Sequence, residues 1–348
     1  MPRRSSRLTI KQVASAAGVS TQTVSRVINA RPDVSLDTRK RVQSVIEEFG
    51  YQPSALARSL IRQRSYTLGV VTAGLKYIGP SRVLNGIAGA AESLGYSLLL
   101  KELPQFDSND VYPIFQTLLS RHVDGVIWGV PEVGPNRDFI DRLNLDSEVP
   151  VVFLTMAPRE HLKAVSIDNY EGGRLAVAHL LEQGYRRIGH IAGPLDWWEA
   201  RQRKAAWQDT LREAGLEAGA ENTVEGNWSS ASGAEAIERL LRQYPAMDAV
   251  FVANDQMALS VMQAACQKGI NIPQALGVVG FDNISESAYF WPPLTTIEQD
   301  QHALGKIAVE EVIRMIGFQW SGAVAPAPTP VTLSPTLIVR QSSVRRSP

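Results

Sequence analysis

A chain of 348 residues is long enough for two or three compact units, and its 44% hydrophobic content is ordinary for a globular protein. No apolar run approaches the ~20 residues that span a bilayer, a single cysteine excludes an internal disulfide, and no Cys/His cluster has zinc spacing. The formal charge of zero conceals an imbalance. Residues 1–64 hold 12 Lys/Arg and 4 Asp/Glu, a formal +8, which leaves 23 and 31 and a formal −8 for the rest. Such a basic head implies salt-sensitive attraction to phosphate backbone. Its arginines are not followed by an apolar stretch, which argues against a secretory signal and for a cytoplasmic protein.

Residues 8–29 spell two short helices joined by a tight turn. Thr9 is placed as an N-cap, with Gln12 completing a capping box and Leu8 stapled to Val13. Gly18 ends that helix and Ser20 caps the next, with Val19 and Val24 as a second staple. The second helix has an apolar side (Val24, Val27, Ile28) and a polar side (Thr21, Gln22, Ser25, Arg26). A helix lying in a DNA major groove needs that division. An ordinary helical hairpin is the alternative, and the turn spacing and surrounding charge count against it. A third helix is expected from Ser35 to Phe49, stopped by Gly50, with Arg39, Lys40 and Arg41 solvated or near phosphate. Residues 53–60 read as a helix too short to stand alone in water, hence a linker whose folding is coupled to binding.

From Tyr66 the rhythm changes. Strands are expected at 67–72, 96–100, 123–128, 150–154, 187–192, 248–252 and 275–280, with two late ones at 331–333 and 336–340. Amphipathic helical segments alternate with them near 80–94, 109–121, 170–184, 198–214, 230–243 and 255–269. This alternation predicts two parallel sheets covered by helices on both faces. Cys266 falls in an apolar helical stretch and is expected to be a packed thiol.

In open parallel sheets, ligands bind beyond the carboxyl ends of the strands. There the chain places Ala73–Pro80, Thr155, Gly193–Trp198 with Arg201, Asn254 with Asp255, and Asp282 with Asn283. Carboxylates, amides and guanidinium groups suit vicinal hydroxyls, and indole faces suit the C–H face of a sugar ring. The alternative for Asn254, Asp255 and Asp282 is capping of the following helices. Nothing points to catalysis: there is no nucleophile elbow, phosphate loop or dinucleotide fingerprint. His122, His161, His179, His190 and His302 are scattered, and His179 and His190 read as packing or surface residues.

Several runs taken together resemble the LacI/GalR family of bacterial transcriptional regulators, most closely its lac-type members. They are Gly-Val-Ser-Thr-Gln-Thr-Val-Ser-Arg-Val-Ile-Asn (18–29), Val-Ser-Leu-Asp-Thr-Arg (34–39), Tyr-Gln-Pro-Ser (51–54), Ile-Ala-Gly-Pro-Leu (191–195), Val-Ala-Asn-Asp-Gln-Met-Ala-Leu (252–259), Val-Val-Gly-Phe-Asp (278–282) and Pro-Pro-Leu-Thr-Thr-Ile-Glu-Gln-Asp (292–300). The resemblance covers nearly all of the chain. It implies an all-α helix-turn-helix head (1–50), a hinge helix (51–65) and an α/β core (66–348) like the periplasmic binding proteins. The core would be two doubly wound parallel-sheet subdomains, about 66–168 with 299–327 and 169–297 with 328–342. Crossings are expected near 168–170, 297–300 and 326–329.

The resemblance also assigns roles by position. Thr21, Gln22 and Arg26 match base readers, Ser20, Thr23, Ser25 and Asn29 match positions near phosphates, and Ala57 and Leu60 match hinge residues, Leu60 as a minor-groove wedge. Arg201, Asn254 and Asp282 match sugar-binding positions, with Gln299 in the same cleft. Trp228 matches an aromatic packed on the sugar, and Tyr77, Gly79 and Val83 match the patch beneath its other end. Two departures stand out: Thr155 replaces an aspartate and Trp197 replaces a small serine, so the sugar need not be a galactoside. No leucine-heptad helix follows the core, which implies a homodimer rather than a tetramer. The implied function is a repressor released from a palindromic operator by a small sugar, with no cofactor, metal or membrane partner. A regulator tightened on DNA by a corepressor, as in the family's purine-responsive branch, is the alternative.

Overall fold

The computed structural model describes residues 8–29, 31–51, 64–104, 106, 111–138, 140, 149–324 and 326–345. The chain divides into two compact units, residues 1–66 and 67–348.

The first unit contains α1 (Ile10–Ala16), α2 (Thr21–Ile28) and α3 (Leu36–Phe49). Its core is small: Val13, Ala14, Ala17, Val24, Val27 and Val42. The Gln12 side chain reaches back as expected, its Oε1 accepting from the Thr9 amide at 2.8 Å. Ser20 accepts from the Thr23 amide at 3.1 Å and Ser35 from the Thr38 amide at 3.4 Å, so both caps form as predicted. Gly50 ends α3 at φ 60°, where an L side chain would be strained. Val19 packs with Val24, but Leu8 is 38% exposed and outside the cluster, so the first staple does not form. Ile10 packs against the cluster instead.

The second unit runs β1 (Thr67–Ala73), α4 (Ile78–Ser93), β2 (Ser97–Leu103), α5 (Tyr112–Ser120), β3 (Gly125–Gly129), β4 (Val151–Leu154), β5 (Ala164–Ile167) and α6 (Asn169–Glu182). It continues with β6 (Ile188–Ala192), α7 (Trp198–Glu213), β7 (Thr223–Glu225), α8 (Ser230–Gln243), β8 (Ala249–Val252), α9 (Asp255–Gln267), β9 (Gly277–Asp282) and β10 (Thr295–Glu298). Last come α10 (Gln301–Ser321), β11 (Val331–Leu333) and β12 (Thr336–Ile338). Two six-stranded sheets form, in the orders β11-β5-β4-β3-β1-β2 and β12-β10-β9-β8-β6-β7. Every described pairing is parallel except β10 with β12. Each sheet reverses its winding direction, at β1/β3 in the first lobe and β6/β8 in the second, which is where doubly wound sheets hold ligands.

The chain passes between lobes three times. Two passages fall where expected, after β5 and after β10. The third lies between Leu333 and Thr336, later than the predicted 326–329, because β11 still pairs with β5 in the first sheet. The short strands β5, β7 and β10 and the long helix α10 were not anticipated. Cys266 is exposed rather than packed, since it falls on the outer side of α9.

Helix α10 returns from the second lobe to lie across α4, and glycines permit the close approach. A Cβ on Gly86 would stand 2.1 Å from the His302 carbonyl oxygen, and one on Gly305 would stand 2.2 Å from that of Val83. This crossing ties the start of α10, with Gln299 and Gln301, to the cavity-lining start of α4.

Candidate functional site

In the first unit, α2 buries Val24 and Val27 and exposes Thr21, Gln22 and Arg26, as a groove-reading helix requires. Arg26 is 3.6 Å from Asp33, a loose, solvent-exposed pair that DNA could displace. The hydroxyls of Ser20 and Thr23 lie 2.9 Å apart, and Asn29 Nδ2 donates to the Ser25 carbonyl at 2.7 Å. The Ser20, Thr23 and Asn29 side chains therefore also shape the helix ends. Ala57 and Leu60 lie outside the described residues.

In the second unit, the carboxyl edges of both sheets line one cavity. The first lobe supplies Thr72, Ala73, Tyr77, Gly79, Val83, Phe106 and Thr155, and the second supplies Asn169, Trp197, Trp198, Glu199, Arg203, Trp228, Asn254 and Asp282. Gln299 and Gln301 enter from the passage into α10. Nine of the ten ligand-site residues expected from the sequence are thus brought together: Tyr77, Gly79, Val83, Thr155, Trp197, Trp228, Asn254, Asp282 and Gln299.

Arg201 is the exception. Its Nη1 donates to the Leu195 and Asp196 carbonyls at 3.0 and 2.8 Å, on the exposed side of α7. Arg203 lines the cavity in its place, 5% exposed, its Nε donating to Asn169 Oδ1 at 2.8 Å and its Nη1 to the Ala253 carbonyl. Two residues are about 200° of helical turn, so only one of the pair faces inward. The buried set Glu199, Arg203, Ala206 and Trp207 follows helical spacing, and that periodicity was the signal available.

An aromatic row crosses the cavity. Tyr77 and Phe106 centroids are 5.8 Å apart, Phe106 and Trp197 4.7 Å, and Trp197 and Trp228 5.8 Å. Both Trp197 and Trp198 line the cavity. Gly193 leaves room for the Trp228 indole, which a Cβ there would meet at 2.1 Å. The Phe106–Trp197 contact joins the lobes, as do Arg82, donating to the Asp282 and Asn283 carbonyls at 3.3 and 3.2 Å, and Asp196, which accepts from the Gly134 amide at 3.1 Å and pairs with Arg137. Thr155, Trp228 and Asp282 hold φ of 54°, 70° and 116°, the kind of backbone strain that collects at ligand sites.

Burial dominates the electrostatics. It pushes Glu199 up to about 7, opposed by Arg203 and Arg201. Asp282, accepting from Gln299 Nε2, rises to about 6, and Arg203 opposes the shift. Beneath the cavity, Asp255 accepts from the Ile284 amide at 2.9 Å and from Thr296 Oγ1 at 2.6 Å, and burial raises it to about 8. Asn254 does what both readings expected: its Oδ1 caps α9, accepting from the Met257 amide at 3.0 Å, while the residue lines the cavity. Asp282 ends β9 and caps no helix. His179 and His190 are buried packing residues, as predicted, bonded to Ser343 and to the Phe251 carbonyl.

Three polar atoms of cavity residues are buried without a hydrogen-bond partner: Glu199 Oε2, Gln301 Oε1 and Trp228 Nε1. Buried polar groups are rarely left so, and these can accept, accept and donate toward a ligand. Sequence reasoning missed Glu199, Arg203, Gln301, Asn169 and Phe106. No cluster of three potential metal ligands occurs among the described residues, nor is any described helix long and apolar enough to cross a membrane.

Residues 9–54 match the family of bacterial regulatory proteins, lacI family, and residues 177–343 match a periplasmic binding protein-like domain. The chain is 34% identical over 334 residues to the HTH-type transcriptional repressor PurR of Haemophilus influenzae (strain PittEE), covering 96% of this chain and 98% of that protein. It is 33% identical over 308 residues to the lactose operon repressor of Escherichia coli (strain K12), covering 88% and 84%. Among solved structures it is similar to the lac repressor dimer bound to operator and the anti-inducer ONPF, with TM-score 0.87, 31% identity and coverage of 97% and 99%.

Proposed function

The chain belongs to the LacI family of DNA-binding transcriptional repressors, and on that premise we propose that it is a cytoplasmic homodimer released from a palindromic operator by a small saccharide. The observation that carries the saccharide reading is the cavity wall. Indole and phenyl faces stand beside Arg203, Asn254, Asp282 and Gln299, groups that match the apolar face and the hydroxyl edge of a sugar ring. The dimer reading rests on the dimeric lac repressor structure it resembles. Two heads, each presenting Thr21, Gln22 and Arg26 to a major groove, would read half-sites about one helical turn or a multiple apart. A ligand that prefers one arrangement of the two lobes shifts the population of DNA-competent dimers, and the coupling is reciprocal.

The test is fluorescence anisotropy on a palindrome from DNA upstream of the protein's own gene, titrated with mono- and disaccharides. The expected result is release by one sugar, with apparent operator affinity falling by about tenfold or more. Tightening by any compound would establish the corepressor mechanism instead. Silence across the panel would exclude a saccharide effector.

A further inference from the structure

The cavity holds more buried negative charge than its own cation answers. Among the described lining residues Glu199 and Asp282 face one cation, Arg203, with Arg201 acting on Glu199 and Arg82 on Asp282 from outside the lining, and Arg203 spends its described hydrogen bonds on Asn169 and the Ala253 carbonyl. Asp282 has a partner in Gln299. Glu199 is 8% exposed, and its Oε2 is buried with no hydrogen-bond partner. The charged groups that act on Glu199 are Arg203 and Arg201 from its own helix and Glu132 from the first lobe.

A carboxylate kept in such a place is costly unless something completes it. A second acceptor, Gln301 Oε1, waits unpartnered on the α10 side of the same cavity. We propose, resting on the saccharide reading above, that the effector is an amine-bearing saccharide whose ammonium group is received by Glu199. The sugar ring lies against Trp197 and Trp228, and a neighbouring hydroxyl donates to Gln301. Gathering the ammonium against Glu199 supplies the missing positive charge and three donors where one oxygen now has none. The high proton affinity of Glu199 fits a group awaiting a cation.

Isothermal titration of the full-length protein at pH 7.5 tests this. Glucose, galactose, mannose and their β-linked disaccharides would each be compared with the 2-amino-2-deoxy form and with the N-acetyl form, which keeps the nitrogen but removes its charge. At least one amine should bind about tenfold or more tighter than both counterparts, and that preference should collapse in Glu199→Gln. A neutral sugar that binds as tightly as its amine, or a preference that survives Glu199→Gln, would overturn the proposal and leave the saccharide reading standing. If no member of any series binds, both are overturned. Ligand-free Glu199→Gln should also melt higher than the parent at pH 8, since an unanswered buried charge is gone. A lower melting temperature would mean that Oε2 already has a partner, against the proposal.

Discussion

Arg203 shows how much rests on one buried side chain. Its guanidinium lies 3.7 Å from the Phe281 ring centroid and donates to Asn169 Oδ1 and the Ala253 carbonyl, so removing it strands two acceptors and deletes the positive charge that acts on Glu199 and Asp282. Arg203→Ala should cost about 3–5 kcal/mol in urea unfolding and abolish the effector response. Arg201→Ala, which loses only exposed bonds to two carbonyls, should cost about 1 kcal/mol or less and leave the response intact. The opposite ranking would place the wrong arginine in the cavity. The family resemblance put the arginine at 201, whereas the helical phase of the buried face of α7 puts it at 203.

At the scale of elements, the contact of α4 with α10 sets how closely the passage from the second lobe approaches the cavity. Gly305→Ala would press a methyl against the Val83 carbonyl oxygen and the Ile87 amide nitrogen, backbone atoms that can yield only if the helices part. A loss of about 1–3 kcal/mol is expected. Gly317→Ala on the same helix meets nothing within 4 Å and should gain about 0.5–1 kcal/mol. Thermal unfolding of the two variants checks the contrast, and equal shifts would remove the crossing as the reason for Gly305. Neither glycine could be assigned from periodicity, because the crossing joins residues more than 200 positions apart. The strands β5, β7 and β10, at three or four residues each, were likewise too short to show a pattern.

For the whole molecule, the buried acids and the buried histidine oppose one another with pH. Glu199, Asp282 and Asp255 are raised to about 7, 6 and 8, so folding holds their protons where the unfolded chain has released them. Their stabilising contribution is complete below about pH 4 and is lost as pH rises toward 8. His190, stacked on Trp207 and Phe251, is lowered to about 3, so its contribution is complete above about 6.5 and lost as pH falls from there. Between pH 6.5 and 8 most of the change comes from Glu199 and Asp255, which act downward, against the last of the upward contribution of His190 and of His179, which burial also lowers. The melting temperature should therefore fall over that interval, and fall less in Glu199→Gln. A flat or rising profile would mean that these carboxyls are already ionised in the fold.

The sequence by itself determined the head and the repeating plan of the core. Caps at Ser20 and Ser35, the stop at Gly50 and the inward valines of α2 act within one or two helical turns, so a local reading recovers them. Nine strands and six helices of the core could be placed, and strand ends then pointed to Trp197, Asn254 and Asp282, whereas Trp228 came only from the family resemblance. The tertiary structure decided what no local pattern encodes. It placed the third passage after β11, because pairing with β5 is a contact between distant segments. It turned Arg203 rather than Arg201 inward, brought Phe106 onto Trp197, and left Glu199 and Gln301 with unanswered polar atoms in one cavity. Those facts depend on how two sheets are held edge to edge, and that is set by long-range packing rather than by neighbours in the chain.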